Sequence, residues 1–552
     1  MLISRRAFAG GALSFAIGSQ IGAPAFGQAP ARLGAALAAI RAYGEAHRSY
    51  FGLPGMTLGL TTPDGFSITL DFGFANRDSQ AAITPATLFQ IGSITKSMVA
   101  ALIHQDAAEG RLHLTDRISD LLPAIALPSG NGITIQNLLD HTAGLPDGAP
   151  LSSQGGLWIG FAPGAHWSYS NTGYVILGKL AEHLGGKPLA QLLAERIFAP
   201  LGMSLSRGAI VGADRPRFAQ GYEAADPTVP FARGVPLAPA AWVDVTDGAG
   251  CVASTAADMT HWLRTLADAA QGRGAIGLPP AQARAFAAHA APTDTPGMTY
   301  GNGLMHVGDG GRAYLHHTGG MVSFSSSFHV DVASGVGAFA SSTISAFAEY
   351  RPRLLTRFAV DALTNALRGR PVPAPPAVAT PLPNPGAYIG RYAGPGGAFE
   401  VRSGSPLTIV ADGESAALQP WGGEIFRTTH PSFREFSLMF ERSAGRIAGA
   451  SWGPKGYSRA GVAGHLPASN PELARLAGRY VNDSPWLGTA RVVERGGRLW
   501  LGTEVPMQPI GDNLWRIGEQ RWSPERGSFA ELINGRPQTF VFSGDKFLRH
   551  DI

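Results

Sequence analysis

The sequence has a single cysteine, Cys251, among its 552 residues, so no disulfide can form within the chain. Small and apolar neighbours surround this residue, which favours a buried packing role over a nucleophile. The cysteine and the 15 scattered histidines form no recognisable ligand pattern, so we expect no metal site and no cofactor. The formal net charge is only +4 and no Lys/Arg cluster is present, so binding to nucleic acid is not expected.

Long apolar runs are also absent. No segment approaches the roughly 18 uninterrupted apolar residues that a spanning helix needs, so we predict no integral membrane segment. The apolar stretch near the N-terminus is short and Gly-rich, and it follows Arg5-Arg6. Ser4-Arg-Arg-Ala-Phe8 resembles a twin-arginine export signal. The sequence therefore predicts a signal peptide over residues 1–29 and a periplasmic protein.

Lysine is scarce, because only five of the 44 basic residues are Lys (positions 96, 179, 187, 455 and 546). Arginine cannot give up its proton, whereas a desolvated lysine can, so a lysine in an apolar segment favours base chemistry. Lys96 lies in such a segment, one helical turn after Ser93 at a predicted helix start. A hydroxyl and an amine so placed are typical of an activated nucleophile and its base.

The S-x-x-K pattern is weak by itself, because Ser543-Gly-Asp-Lys546 also matches it. That second match lies between β-type runs and indicates a turn. The helix predicted after Ser93 instead carries apolar residues at helical spacing, including Met98 and Leu102. The alternative interpretation of Ser93 is a helix N-cap followed by an incidental lysine.

Tyr169-Ser-Asn171 comes directly before another helical stretch. A buried phenol near an ammonium could lose or relay a proton, and the amide could orient a substrate carbonyl or the lysine. The Y-x-N pattern also occurs at Tyr300-Gly-Asn302, the second choice, and at Tyr480-Val-Asn482, which belongs to a repeat near the C-terminus.

His317-Thr-Gly319 favours an edge strand, where the missing side chain of Gly319 would let a substrate backbone approach. The backbone N–H groups of Gly320 and Ser93 could form an oxyanion hole. We therefore predict substrate contacts for His317, Thr318 and Gly319, as for Asn171. The alternative for His317 is a strand histidine whose hydrogen bonds are satisfied within the protein.

A Pro-rich stretch, 371–385, divides the chain. Before it, helical patterns alternate with strand hairpins at 56–72 and 325–340. After it, Gly390-Arg-Tyr392 recurs as Gly478-Arg-Tyr480, and a Q-P motif at 419–420 recurs at 508–509, which predicts two separate antiparallel barrels. The predicted units are 1–29 signal peptide, 30–370 catalytic domain, 371–385 linker, 386–465 first barrel and 466–552 second barrel.

The ordered motifs at Ser93, Tyr169 and His317 resemble the serine β-lactamase and penicillin-binding-protein superfamily, especially its class C-type and D-aminopeptidase-like members. The resemblance spans about residues 40 to 365 and implies an α+β fold, with a five-stranded antiparallel sheet flanked by helices plus a helical subdomain. The barrels resemble lipocalin-like units. By this resemblance, β-lactamases have Lys-Thr-Gly where this chain has His317-Thr-Gly319. The lysine that would bind a substrate anion is therefore missing here.

The expected function is that of an exported serine hydrolase cleaving an amide or ester bond of a small peptide-like substrate through a Ser93 acyl-enzyme, with Lys96 and Tyr169 sharing general-base duty. Carboxylesterase and β-lactamase activity are the alternatives of the same class. A slowly acylating penicillin-binding or sensor protein is the alternative of another class. The sequence makes no prediction of the oligomeric state.

Overall fold

The computed structural model describes residues 31–128, 132–151, 156–379, 381–462 and 469–550. The predicted signal peptide, 1–29, lies outside the described residues. Within these ranges, no helix combines the length and the apolar character needed to cross a membrane.

Helices occur mainly before residue 370. Their bounds are α1 Gly34–Phe51, α2 Thr95–Ala108, α3 Ile118–Leu121, α4 Ile135–Leu139, α5 Asn171–Gly185, α6 Leu189–Leu193, α7 Ala199–Leu201, α8 Ala256–Ala270, α9 Pro280–Ala288, α10 Arg353–Leu367 and α11 Pro471–Ala474.

The strands of the same region form one large sheet and two small ones. Their bounds are β1 Gly55–Thr61, β2 Ser67–Asn76, β3 Ala81–Ala82, β4 Phe89–Gln90, β5 Tyr222–Ala224, β6 Leu237–Pro239, β7 Ala253–Ser254, β8 Ala291–Pro292, β9 Met298–Gly301, β10 Leu304–Asp309, β11 Arg312–Gly320, β12 Ser325–Asp331 and β13 Gly337–Ser342.

The large sheet is antiparallel and has nine strands in the order β3-β2-β1-β13-β12-β11-β10-β9-β8. The α+β class and both predicted hairpins are confirmed, with Leu58 opposite Leu70 and Phe328 opposite Phe339. The expected width of five strands is wrong. The chain after α9 folds into three further strands on one side, and β3 adds a two-residue edge on the other.

Helices cover both faces of this sheet. α1 and α10 pack together against one face, and α8 packs against the other. α2 lies deeper, and its side chains are buried on every side, including Met98, Val99, Leu102 and Ile103. A helix whose side chains are buried on every side belongs in the centre of a domain, although α2 also buries polar residues such as Lys96 and Ser97. α2 is therefore a rigid support for the residues at its N-terminus.

The chain after residue 385 folds into two closed eight-stranded antiparallel barrels. The first contains β14 Gly390–Gly394, β15 Gly397–Arg402, β16 Leu407–Ala411, β17 Glu414–Gly422, β18 Ile425–Thr428, β19 Leu438–Ser443, β20 Arg446–Trp452 and β21 Lys455–Arg459. The second contains β22 Gly478–Val481, β23 Thr489–Arg495, β24 Arg498–Leu501, β25 Val505–Gly511, β26 Leu514–Ile517, β27 Arg526–Ile533, β28 Arg536–Phe542 and β29 Asp545–Arg549.

The sequence repeat corresponds to repeated structure. Tyr392 and Tyr480 lie in the first strand of each barrel, and each hydroxyl donates to the carbonyl oxygen four residues earlier at 2.7 Å. Both copies of the Q-P motif lie in the fourth strand of their barrel, where the register shifts just after Pro420 and Pro509. The prediction of two barrels is confirmed.

Candidate active site

Ser93 lies in the short 3₁₀ turn Gly92–Ile94 that leads into α2, so the predicted helix start is confirmed. The turn is anchored by the Ile91 N–H, which donates to the carbonyl oxygen of Val252 at 3.1 Å. Gly92 has a φ of +54°, and a Cβ there would lie 2.8 Å from the backbone nitrogen of Gly320. Glycine is therefore required at position 92, since it allows the end of β11 to lie beside the serine.

Lys96 is fully buried in the first turn of α2. Its Nζ lies 2.9 Å from Ser93 Oγ, 2.6 Å from Asn171 Oδ1 and 2.8 Å from the carbonyl oxygen of Ala249. Burial lowers the pKa of Lys96 to about 7, against the opposing effect of nearby carboxylates. A large fraction of this amine is therefore uncharged near neutral pH.

The neighbours of Lys96 Nζ favour one proton arrangement. The Ala249 carbonyl oxygen can only accept, and Asn171 presents Oδ1 because its Nδ2 donates to Asp147 Oδ1 at 2.9 Å. A neutral amine has two N–H bonds, and these two acceptors use both. Its lone pair is then available to the hydroxyl of Ser93, the arrangement that a general base needs.

Tyr169 and Asn171 are held at the N-terminus of α5, whose N-cap is Ser170. The Ser170 hydroxyl accepts from the Gly173 N–H at 3.1 Å and donates to the Pro146 carbonyl oxygen at 2.8 Å. Lys96 Nζ lies 4.9 Å from the centre of the Tyr169 ring, so the phenol is held beside the lysine. Burial raises the pKa of Tyr169 well above its usual value, so its hydroxyl stays protonated at neutral pH.

His317 takes part in a buried chain of hydrogen bonds. Its Nδ1 donates to the Thr318 carbonyl oxygen at 2.6 Å, and its Nε2 lies 3.1 Å from the hydroxyl of Tyr300. The same hydroxyl lies 3.1 Å from His141 Nε2, and His141 Nδ1 accepts from the Ser170 N–H at 3.2 Å. Burial lowers the pKa of His317 to about 3, so its ring is neutral and Nε2 accepts from Tyr300.

These contacts bear on two predictions about the end of β11. His317 is fully buried, and both of its ring nitrogens have partners within the protein, so the predicted contact of its ring with a substrate is not supported. The missing side chain of Gly319 admits the protein's own turn, because a Cβ there would lie 1.9 Å from the Ile91 carbonyl oxygen. The edge-strand prediction holds only for the last four residues of β11, since its pairing with β10 ends at His316.

A cavity of about 600 Å³ opens at Ser93. Asn171 and Gly320 also line it, whereas His317 and Thr318 do not appear in its wall. The charged side chains among its described lining residues are three carboxylates, Asp147, Asp244 and Asp247. Among the described residues, no group of three His, Cys, Asp or Glu side chains is placed to hold a metal ion.

Sequence reasoning missed several residues near this cavity. Asp147 holds the amide of Asn171, and Tyr300, the second choice for the Y-x-N tyrosine, joins the two histidines. Arg351 lies behind Gly320, where a Cβ on the glycine would be 2.6 Å from its Nη2. A weak Y-x-N match pointed to Tyr300, but no local pattern marked the aspartate or the arginine.

Comparison with known proteins identifies the fold that holds these residues. A family model described as Beta-lactamase matches residues 24–360. This chain belongs to the beta-lactamase family. A beta-lactamase of Pseudomonas fluorescens is 33% identical over 177 residues, which are 30% of this chain and 49% of that protein. A D-aminopeptidase of Brucella anthropi is 30% identical over 151 residues, which are 24% of this chain and 28% of that protein.

Structural comparison agrees with the sequence match. The octameric penicillin-binding protein homologue from Pyrococcus abyssi superimposes with a TM-score of 0.54 and 20% identity, covering 76% of this chain and 99% of that one. At this identity the likeness shows the fold. The chain spans about half the length of the Pseudomonas beta-lactamase it matches.

Proposed function

We propose that this member of the beta-lactamase family is a serine hydrolase that cleaves an amide or ester bond of a small peptide-like substrate through an acyl-enzyme on Ser93. The observation that carries the proposal is the environment of Lys96. Its two acceptor neighbours use the N–H bonds of a neutral amine, and its lone pair is left for the Ser93 hydroxyl at 2.9 Å.

In the acylation step, Ser93 Oγ attacks the substrate carbonyl carbon and its proton passes to Lys96 Nζ. The carbonyl oxygen becomes an oxyanion, to which the N–H groups of Ser93 and Gly320 would donate. The Tyr169 hydroxyl, which is protonated and lies near Ser93 and Lys96, relays a proton from Lys96 to the leaving nitrogen or oxygen. Water then attacks the acyl-enzyme ester by the reverse route, which releases the acid and restores Ser93.

The charge of the cavity favours an amine-bearing substrate. Three aspartates line the cavity, so a substrate ammonium would be attracted and a free carboxylate repelled. His317 supplies no compensating cation, because it is neutral and buried. These features favour a peptidase or amidase, the class to which the Brucella relative's name belongs, over a beta-lactamase.

Fluorophosphonate labelling followed by a substrate screen tests the proposal. We expect labelling of Ser93, and turnover of p-nitrophenyl esters or of aminoacyl anilides that carry a free amine, with both D and L enantiomers assayed. Absence of labelling would overturn the proposal, and labelling without any turnover would favour the sensor alternative. Faster turnover of a penicillin than of every amine-bearing anilide would move the assignment to beta-lactamase.

The twin-arginine-like pattern at Ser4–Phe8 supports export of this hydrolase to the periplasm. Cell fractionation of the full chain measures this. Recovery of the protein only from the cytoplasm would contradict it.

The rate of acylation should depend on the protonation of Lys96. Below a pH of about 7 the amine binds a proton and loses its lone pair, so the labelling rate should fall about tenfold per pH unit and level off above pH 8. The measurement is the second-order rate constant for labelling between pH 5 and 9, with thermal stability followed over the same range. A rate that still rises about tenfold per pH unit between pH 8 and 9 would indicate an ordinary lysine.

Tyr300→Phe should slow the labelling of Ser93, although Tyr300 is not among the residues that line the cavity. The change leaves two buried ring nitrogens, in His141 and His317, without their partner, at about 1–3 kcal/mol for each unpaired group. These hydrogen bonds connect the segment that carries Tyr169 to the end of β11. We therefore expect their loss to slow labelling by about tenfold. Thermal unfolding and labelling rates measure the two effects.

Tyr314→Phe is the matched control for that prediction. Tyr314 is a buried tyrosine of the same sheet whose hydroxyl donates to Asp361 at 2.6 Å, away from the site. It should lower stability and leave the labelling rate near that of the wild type. Equal slowing in both variants would mean that lost stability alone explains the Tyr300→Phe result.

A further inference from the structure

The second barrel contacts the catalytic domain beside the cavity. One part of this contact is made by residues 522–526, the segment that enters β27. The Trp522 ring stacks on His166, with ring centres 4.1 Å apart and planes 8° apart. Trp158 Nε1 donates to the Pro524 carbonyl oxygen at 2.7 Å. Gly160 makes this approach possible, because a Cβ there would lie 2.4 Å from the Trp522 carbonyl oxygen.

Glu525 extends this contact to the wall of the cavity. Its Oε1 accepts from the backbone N–H of Asp147 at 2.7 Å, although the two residues are 378 positions apart in the sequence. Its Oε2 accepts from the hydroxyl of Ser543, which lies in the turn between β28 and β29. The carboxylate is therefore fixed from the barrel side and aimed at a residue that lines the cavity.

Asp147 in turn positions Asn171, which contacts the proposed base, Lys96. Its Oδ1 accepts from both the backbone N–H and the Nδ2 of Asn171, at 3.1 and 2.9 Å. The remaining amide oxygen of Asn171 accepts from Lys96 Nζ at 2.6 Å. The orientation of the Asn171 amide thus depends on Asp147, and so does the direction of the Lys96 lone pair.

We propose that Glu525 of the second barrel is a positioning residue for the hydrolytic reaction, which it supports by holding Asp147 and, through it, Asn171 against Lys96. The inference rests on the proposed function. It assigns the barrel a role in the reaction, because a catalytic domain without it would leave the Asp147 N–H without this acceptor and the Asn171 amide less restrained. Glu525 touches neither Ser93 nor the base, so its effect is on geometry.

Two substitutions at position 525 separate geometry from charge. Glu525→Ala removes the acceptor, and we expect the labelling rate constant and kcat/KM to fall about tenfold. Glu525→Gln keeps an oxygen of the same reach and removes the charge, so it should stay within about twofold of the wild type. Glu519→Ala, at an exposed carboxylate of the same connection, is the matched control and should change nothing.

Thermal midpoints are measured for all four proteins. If Glu525→Ala does not fold, Glu525→Asp takes its place, since its carboxylate is one methylene too short to reach the Asp147 N–H. An alanine or aspartate variant that labels at the wild-type rate overturns the inference, and so does a folded Glu525→Gln that is tenfold slower. Wild-type protein that fails to label would instead contradict the proposed function, so the two failures are distinguishable.

Discussion

Ser93→Ala is expected to abolish fluorophosphonate labelling and to reduce turnover by about 10⁴-fold or more, because it removes the hydroxyl that lies 2.9 Å from Lys96 Nζ and would form the acyl-enzyme. The change removes one half-buried hydroxyl whose hydrogen-bond partner is Lys96. We therefore expect the thermal midpoint to move by no more than about 3 °C. Labelling, turnover and thermal unfolding of the purified variant measure the three quantities.

Ser97→Ala is the control, and we expect it to lower the thermal stability and to retain labelling. Ser97 lies four residues further along the same segment and is fully buried, and its hydroxyl accepts from Trp262 Nε1 at 3.2 Å. Its loss leaves the indole N–H unpaired at about 1–3 kcal/mol, so the thermal midpoint should fall while labelling continues. Labelled Ser93→Ala protein would show that the nucleophile is a different residue.

The part of the site that is close in sequence could be predicted. Ser93 and Lys96 are one helical turn apart, and Tyr169 and Asn171 flank an N-cap, so spacing alone places each pair on one element. The scarcity of lysine in the sequence supported the prediction that Lys96 acts as a base. The same reasoning rejected Ser543-Gly-Asp-Lys546, and in the structure Ser543 and Gly544 form the turn between β28 and β29.

The role of His317 could not be predicted, because it depends on a partner from another strand. Tyr300 lies in β9, which β10 separates from β11, yet its hydroxyl reaches both His317 and His141. The order of the motifs predicted a contact between His317 and the substrate, whereas its burial and these hydrogen bonds favour a structural role. The alternative of a satisfied strand histidine is the one that the structure supports.

Contacts over long sequence distances account for the rest. Asp147 carries no motif, and Glu525 lies in a different unit of the chain, so their hydrogen bond had no local signal. The sheet was underestimated for a related reason. β3 and β8 have two residues each, and β9 has four, which is too short for the alternation that predicts a strand.

Lys96→Arg should be nearly as damaging as loss of the nucleophile, although it keeps a long basic side chain at this position. A guanidinium has no accessible neutral form, so it cannot accept the Ser93 proton at any pH at which the protein is folded. It also presents donors where the neutral amine presents a lone pair. We expect the labelling rate constant to fall by about 10³-fold or more, and the loss should persist up to pH 9.

Two further variants decide whether that loss reflects the missing base. Lys546→Arg makes the same substitution in the second S-x-x-K match, at an exposed position, and should leave labelling and stability unchanged. Lys96→Met removes the base without adding the bulk of a guanidinium to a fully buried site, so it should fold and still label at least 10³-fold more slowly than the wild type. Wild-type labelling by either Lys96 variant would contradict the Ser-Lys mechanism, because it would mean that Ser93 gives its proton to another group.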